Sequence, residues 1–99
     1  MNLKYSDEAS NELDEVFGWY ESQKINLGFE FIRELELTIK RIQNFPNLPP
    51  IIQKDYRRAI LPIFPYGIFY KIKNDIIEIY AIAHLHRKPY YWGKRRIRL

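Results

Sequence analysis

Apolar residues recur along this chain in two regimes, every three to four positions in the first half and every second position afterwards. In the first half, Ala9, Leu13, Val16, Phe17 and Tyr20 line one face, which predicts a helix over residues 7–24 with Trp19 beside the stripe. Ser6 is placed to cap it, because its hydroxyl can accept an orphan backbone N–H, and Asp7 and Glu8 suit the positive end of the helix dipole. Asn2–Tyr5, ahead of the cap, reads as a short strand. A second stripe of Gly28, Phe31, Ile32, Leu35, Ile39 and Ile42 predicts a helix over 27–44, with Asn26 as its cap. So short a connection forces the two helices into an antiparallel hairpin. Gly28, lacking a side chain, lets them approach closely.

Pro46, Pro49 and Pro50 end the helical half, since proline withholds a backbone donor and favours extended geometry. Strands are then predicted at Tyr56–Leu61, Gly67–Lys73 and Ile76–Ala83, the last two joined by an Asn74-Asp75 hairpin turn. Strict alternation along the last strand puts Ile77, Ile79, Ala81 and Ala83 on one face, and Ile76, Glu78, Tyr80 and Ile82 on the other. Both faces are largely apolar, yet a helical hairpin covers only one. Either the sheet twists over a small second core, or a protein partner covers the remaining face. The reading is a single α+β domain over residues 1–99, with the N-terminal strand and the antiparallel helical hairpin packed on one face of a small, mainly antiparallel sheet. Its order is β-α-α-β-β-β. The proline linker separates two layers of one core, and no repeat or domain boundary is seen.

Composition supports this and narrows the chemistry. The 99 residues are 46% hydrophobic and 16% aromatic, enough for one core. There is no cysteine, and His84 and His86 alone do not make a closed zinc site, so no metal or other cofactor is expected. Asn2 and Lys4 follow Met1 with no apolar signal core behind them, and no stretch nears the ~20 apolar residues that span a bilayer. A soluble cytoplasmic protein with no membrane contact is expected. Charge is polarised: residues 1–44 carry nine acids and five bases, a net of −4, whereas residues 45–99 carry three acids and eleven bases, a net of +8. From His84 to Leu99 there are six Lys/Arg and no acid. An anionic partner, or simply a solvated basic tail, follows from that imbalance.

Several chemistries drop out. The glycines are scattered, giving no phosphate loop; there is no thiol; and Ser6 and Ser22 lie far from either histidine. Arg57 and Arg58 must point to opposite faces of their strand. Arg57 shares its face with Ala59 and Leu61 and therefore needs a defined partner, either a helix carboxylate or an external anion. In the segment running from His84 through Arg87, Lys88, Tyr90, Tyr91 and Trp92 to Lys94 and Arg95, cations and aromatics interleave. That pattern suits phosphate and base contacts, and equally suits a tail anchored by Tyr91 and Trp92 as core plugs. His84 and Arg87 read as a polar cluster at the strand's end. Folding the helices over the sheet is expected to let Arg57, His84 and Arg87 converge there.

At this point a resemblance emerges. The run Arg57-Arg58-Ala59-Ile60-Leu61-Pro62-Ile63-Phe64-Pro65-Tyr66-Gly67-Ile68-Phe69-Tyr70 resembles the core motif of ParE-like toxins in the RelE/ParE superfamily. Ile79–His84, followed by Arg87, Pro89, Trp92 and Arg95, resembles their C-terminal motif. Trp19-Tyr20-Glu21, Gly28-Phe29-Glu30-Phe31 and Phe45-Pro46 are similar to their helical half. The resemblance implies the toxin of a type II toxin–antitoxin system, of plasmid-stabilisation type, held inactive by a cognate antitoxin and reaching operator DNA indirectly through it. ParE-like members are associated with DNA gyrase inhibition, which is binding without chemistry. RelE-like members cleave messenger RNA on the ribosome, which needs an acid, a base and cations for the phosphorane charge. For that chemistry the chain offers His84 or His86 as acid or base, Arg57 and Arg87 as charge stabilisers, and Tyr90 as auxiliary; before Arg57 it offers only Lys54. For binding to a target or anion it offers Arg57, Arg87, Lys88, Trp92, Lys94 and Arg95. A nucleic-acid-binding accessory protein and an inactive toxin copy are further alternatives.

Overall fold

The computed structural model describes residues 1–88 and 91–97. Strand β1 (Asn2–Tyr5) leads into helices α1 (Asp7–Gln23) and α2 (Leu27–Asn44), followed by strands β2 (Ile51–Gln53), β3 (Tyr56–Ile60), β4 (Tyr66–Lys73) and β5 (Ile76–His84). These strands form one sheet in the order β1-β5-β4-β3-β2. The β1–β5 pair is parallel and the other three pairs are antiparallel. This is the α+β arrangement expected, with one addition. The short strand β2 follows the prolines and turns back through Lys54, whose φ is 52°.

Each helix starts for an identifiable reason. The Ser6 hydroxyl accepts the Ala9 N–H at 3.0 Å and itself donates to the Tyr80 carbonyl at 3.1 Å, so one buried side chain caps α1 and ties it to β5. Asn26 occupies the cap position of α2 in a left-handed conformation, φ 73°, with no side-chain cap bond. The capping falls to Glu21 of α1, whose carboxylate accepts the N–H groups of Asn26 and Gly28 at 3.1 and 3.0 Å. A Cβ on Gly28 would lie 2.7 Å from the Phe17 carbonyl oxygen, so the close approach of the helices there requires glycine.

The hairpin covers one sheet face. Phe31, Leu35 and Ile42 of α2 bury against Ile68, Tyr70, Ile77, Ile79 and Ile82. At the turn end of the hairpin Tyr20 and Phe31 pack with Phe64 and Tyr66, ring centroids 4.9–6.1 Å apart. The alternation expected for β5 fails at one point. Phe69 pairs with Ala81 but Tyr70 pairs with Ile79, so Tyr80 is an extra residue, a β-bulge. Parity reverses there. Ile77, Ile79 and then Ile82 face the helices, while Tyr80, Ala81 and Ala83 face away.

The second face is covered by the chain's own tail. Trp92, 1% exposed, packs among Tyr56, Phe69, Tyr80, Ala81 and Ala83, with Ile52, Tyr91 and Ile97 around it. Of the two possibilities left open by the pattern, the sheet therefore carries a small second core.

Arg57 and its cross-strand neighbour Tyr70 hold the proline linker. The Arg57 guanidinium donates to the carbonyls of Asn47 and Pro49 at 2.9 and 2.6 Å, and the Tyr70 hydroxyl donates to that of Pro46 at 2.6 Å. Burial pushes the Tyr70 hydroxyl up to about 12, against a smaller lowering by the Arg57 charge. Because its folded value lies above the unfolded value near 10, this group's stabilisation is complete below pH ~10 and is lost as pH rises through about 12. Denaturant midpoints should thus hold level from pH 7 to 9 and fall above 10. Tyr70→Phe should cost about 1 kcal/mol at pH 7 and flatten that alkaline fall. An unchanged alkaline limb in the variant would contradict the assignment.

Candidate functional site

Beyond Ile79, β1 no longer accompanies β5, and the exposed backbone edge of β5 is taken over by side chains. Glu12 of α1 is central to this. Its Oε1 accepts the Ile82 N–H at 3.1 Å and an Arg95 guanidinium N–H at 2.7 Å. Its Oε2 accepts the Tyr91 hydroxyl at 2.7 Å and the second Arg95 nitrogen at 3.0 Å. Arg95 also donates to the Tyr80 carbonyl at 3.0 Å, the bulged position. Here one carboxylate joins helix, strand edge and tail. The Arg–carboxylate contact is bidentate, the geometry in which a planar guanidinium binds most strongly.

The ionisation behaviour follows. Burial, then the hydrogen bond and charge of Glu12, hold the Tyr91 hydroxyl well above the ordinary phenol range, and Arg87 and Arg95 only partly offset this. For Arg95, burial alone acts downward, but the hydrogen bond and charge of Glu12 outweigh it and raise the pKa. Arg95 therefore stays charged and Tyr91 stays protonated throughout the neutral range, both directed at the Glu12 carboxylate.

Arg87 sits at the edge of this cluster, with its guanidinium 3.8 Å from the centroid of the Tyr91 ring and 3.9 Å from Glu12 Oε2. Its side chain is 56% exposed, which leaves donors facing outward. His84 ends β5, with its ring 5.3 Å from that of Tyr66, and its Nδ1 accepts the His86 N–H at 3.1 Å. Lys88 is exposed. Between these residues and β3 lies a small cavity of about 160 Å³, into which Arg58 also projects. Arg58 Nε is buried and has no hydrogen-bond partner among the described residues.

The structure thus gathers His84, His86 and Arg87 at one end of the sheet but keeps Arg57 apart. Arg57 pairs with Tyr70 and His84 with Tyr66, four residues along β4, or about 13 Å of strand. The expected convergence of the three does not occur, because Arg57 spends its donors on linker carbonyls. Neither a helix carboxylate nor an open anion site accounts for it. Trp92 is a core plug and Arg95 is committed to Glu12, while Lys94 is exposed. Tyr90 and Pro89 lie outside the described residues. Among the described residues there is no group of three or more His, Cys, Asp or Glu able to hold a metal, and no helix long and apolar enough to cross a membrane.

Two residues were not visible as functional candidates in the sequence. Glu12 had a signal: it stands three after Ala9 and four before Val16, inside the apolar stripe of α1, where a carboxylate demands a partner. Arg58 had none, since its strand neighbour Arg57 presents the same chemistry.

A family model for the ParE toxin of type II toxin–antitoxin systems, parDE, matches residues 3–89. Among solved structures, a chain from "Chromosomal ParDE TA system from P. aeruginosa" superposes with a TM-score of 0.72 at 21% identity, covering 85% of this chain and 95% of that one. At that identity the likeness carries the fold. No curated protein sequence matches.

Proposed function

Because the chain belongs to the ParE toxin family and is a toxin of a type II toxin–antitoxin system, we propose that it arrests growth by binding DNA gyrase, without chemistry of its own. The observation that carries this reading is the separation of Arg57 from His84 and Arg87, described above. Phosphodiester cleavage needs an acid, a base and cations around one phosphate. Here Arg57 serves the fold, and the His84–Arg87 end presents exposed cations and donors suited to docking. Arg87, Lys88 and Lys94 are the exposed groups that meet the target, in the cytoplasm. Purified protein added to gyrase in stoichiometric excess should suppress supercoiling of relaxed plasmid. Unaffected supercoiling would refute the proposal.

Ribosome-dependent mRNA cleavage is the second reading. It is favoured by one observation, the Arg58 Nε without a hydrogen-bond partner among the described residues, in the cavity shared with His84 and Arg87. It requires messenger cut in translating extracts, and loss of cutting in His84→Ala and Arg87→Ala with the melting temperature retained.

A type II toxin implies a cognate antitoxin, and the surface that receives it is part of this proposal. With the second sheet face closed by Trp92, the apolar surface expected there is not available. A groove of about 550 Å³ between the end of α2, the proline linker and β3 is open instead. Phe45, Leu48 and Ile60 border it and are 63%, 79% and 52% exposed. Beside it, β2 accompanies β3 only to Arg57, and the Pro50 carbonyl accepts the Arg58 N–H at 3.2 Å. Among the described residues no strand pairs with the remainder of that edge. An antitoxin segment that folds on binding gains main-chain bonds along it and apolar pockets beside it. Through the antitoxin the toxin would reach operator DNA. The Leu48→Asp/Ile60→Asp pair should weaken antitoxin binding about a hundredfold, measured by titration calorimetry. Unaltered affinity would move the antitoxin elsewhere.

A further inference from the structure

On the sheet face away from the helices, at the end opposite His84, lies a cleft of about 620 Å³, of whose lining the function readings above use only Lys94. Its floor is β4 and β5 near the Asn74-Asp75 turn, and its wall is the tail from Gly93 to Ile97. Phe69 belongs to the second core, so Lys71 and Lys73, two and four positions on, project from the same face. Two residues of strand place them about 6.7 Å apart, close to the step between successive phosphates of an extended nucleic-acid strand. Lys94 and Arg96 are exposed on the facing wall.

Lys71 is held in position rather than freely waving. Its ammonium lies 5.3 Å from the Tyr56 ring centroid and 5.2 Å from that of Tyr80. Tyr80 in turn is fixed by donating its hydroxyl to Glu78 at 3.0 Å. Among the described residues Glu78 is the one carboxylate lining the cleft, and it is 7% exposed beneath the lysines. No ion pair engages Lys71, Lys73, Lys94 or Arg96 among the described residues. Four cations thus line a concave surface with no ion pair among the described residues to neutralise them, beside a fifth, Arg95, that is already paired with Glu12. The two tyrosine rings are buried, 4% and 6% exposed, and offer no face for a base to stack on.

We propose that this cleft binds the phosphate backbone of a nucleic-acid strand, without regard to base sequence. Recognition is by charge alone, since the described lining holds neither an open stacking surface nor a group placed to read base edges. The site stands whichever target the toxin has, because none of its four cations comes from β3 or from the His84–Arg87 end.

The test is fluorescence anisotropy of the full chain with labelled single-stranded oligonucleotides, mixed-sequence and oligo-dT, across a salt series. Wild type should bind both within about threefold of each other and weaken steeply with salt. Lys71→Gln/Lys73→Gln should weaken binding at least about tenfold and reduce the log–log salt slope by about 1.4, near 0.7 for each phosphate no longer neutralised. Lys73→Gln/Lys94→Gln, which spares the Lys71–tyrosine packing, should do the same should the first pair melt early. Removing two charges from the outer surface of α2, by Arg33→Gln/Lys40→Gln, should leave the affinity within about twofold. Equal weakening in that control, a strong preference for one base sequence, or tighter binding of polyglutamate of matched charge would each overturn the proposal. A duplex bound in place of the single strand, with the same lysine dependence, would support it and identify the natural form of the strand.

Discussion

Glu12→Ala is expected to lower the stability of the fold by about 3 kcal/mol, on the order of 15 °C in melting temperature for a domain of this size. The expectation rests on what the substitution leaves behind. Glu12 and Arg95 are 12% and 14% exposed at their side chains, so removing the carboxylate strands a guanidinium that is largely out of water. The Ile82 N–H and the Tyr91 hydroxyl lose their acceptor at the same time. Partial exposure keeps the figure at the low end for a broken buried pair. Glu12→Gln keeps the shape and one acceptor and should cost about half as much. In a double-mutant cycle with Arg95→Ala, coupling of about 1–3 kcal/mol is expected. Strict additivity of the two substitutions would show that the pairing contributes nothing.

Trp92→Ala should be comparably severe, about 3–5 kcal/mol, for a different reason. The indole fills the space between the tail and the outer sheet face, 4.2 Å from Phe69 and 6.1 Å from Tyr56 between ring centroids. Its removal opens a cavity that the partly buried Tyr91 and Ile97 of the tail are too peripheral to fill. Near-UV dichroism should collapse and an apolar dye should bind the uncovered face, while the helical signal persists below the lowered melting point. A variant that melts within about 1 kcal/mol of wild type would mean that the tail is dispensable to the second core. Both substitutions act on the same segment, one through charge and one through packing, so their effects should not add.

The periodic parts of this fold were legible in the sequence. Helical stripes gave both helices within a residue, Ser6 marked the start of α1, and alternation with Asn74-Asp75 gave the last hairpin. Where legibility ended, a single-residue event or a side chain acting at a distance was responsible. The extra residue at Tyr80 reverses the parity of β5, so Ala81 and Ala83 change faces, and nothing in the local pattern of apolar residues reveals an inserted position. The capping of α2 passed from Asn26 to Glu21, seven residues before the second N–H it accepts. The charge of Arg57 points to a carboxylate or an anion, whereas its partners are backbone carbonyls that carry no sequence signature. That placement explains why the family assignment stands although Arg57, His84 and Arg87 do not converge. The central part of the resemblance, the run from Arg57 to Tyr70, includes Arg57, Phe64, Tyr66 and Tyr70, and these residues build the linker clamp and the aromatic end of the core. They belong to the fold, and the contact with the target is to be sought on other residues.

The unaccompanied stretch of β3 bears on how this molecule behaves when it is alone. A bare strand border flanked by greasy side chains such as Ile60 is a template for adhesion between identical copies. Pro62, just past the strand, limits how far such stacking can extend. Synthesis without an escort therefore carries a second hazard, precipitation, and a companion docked as proposed above would remove it by covering this border.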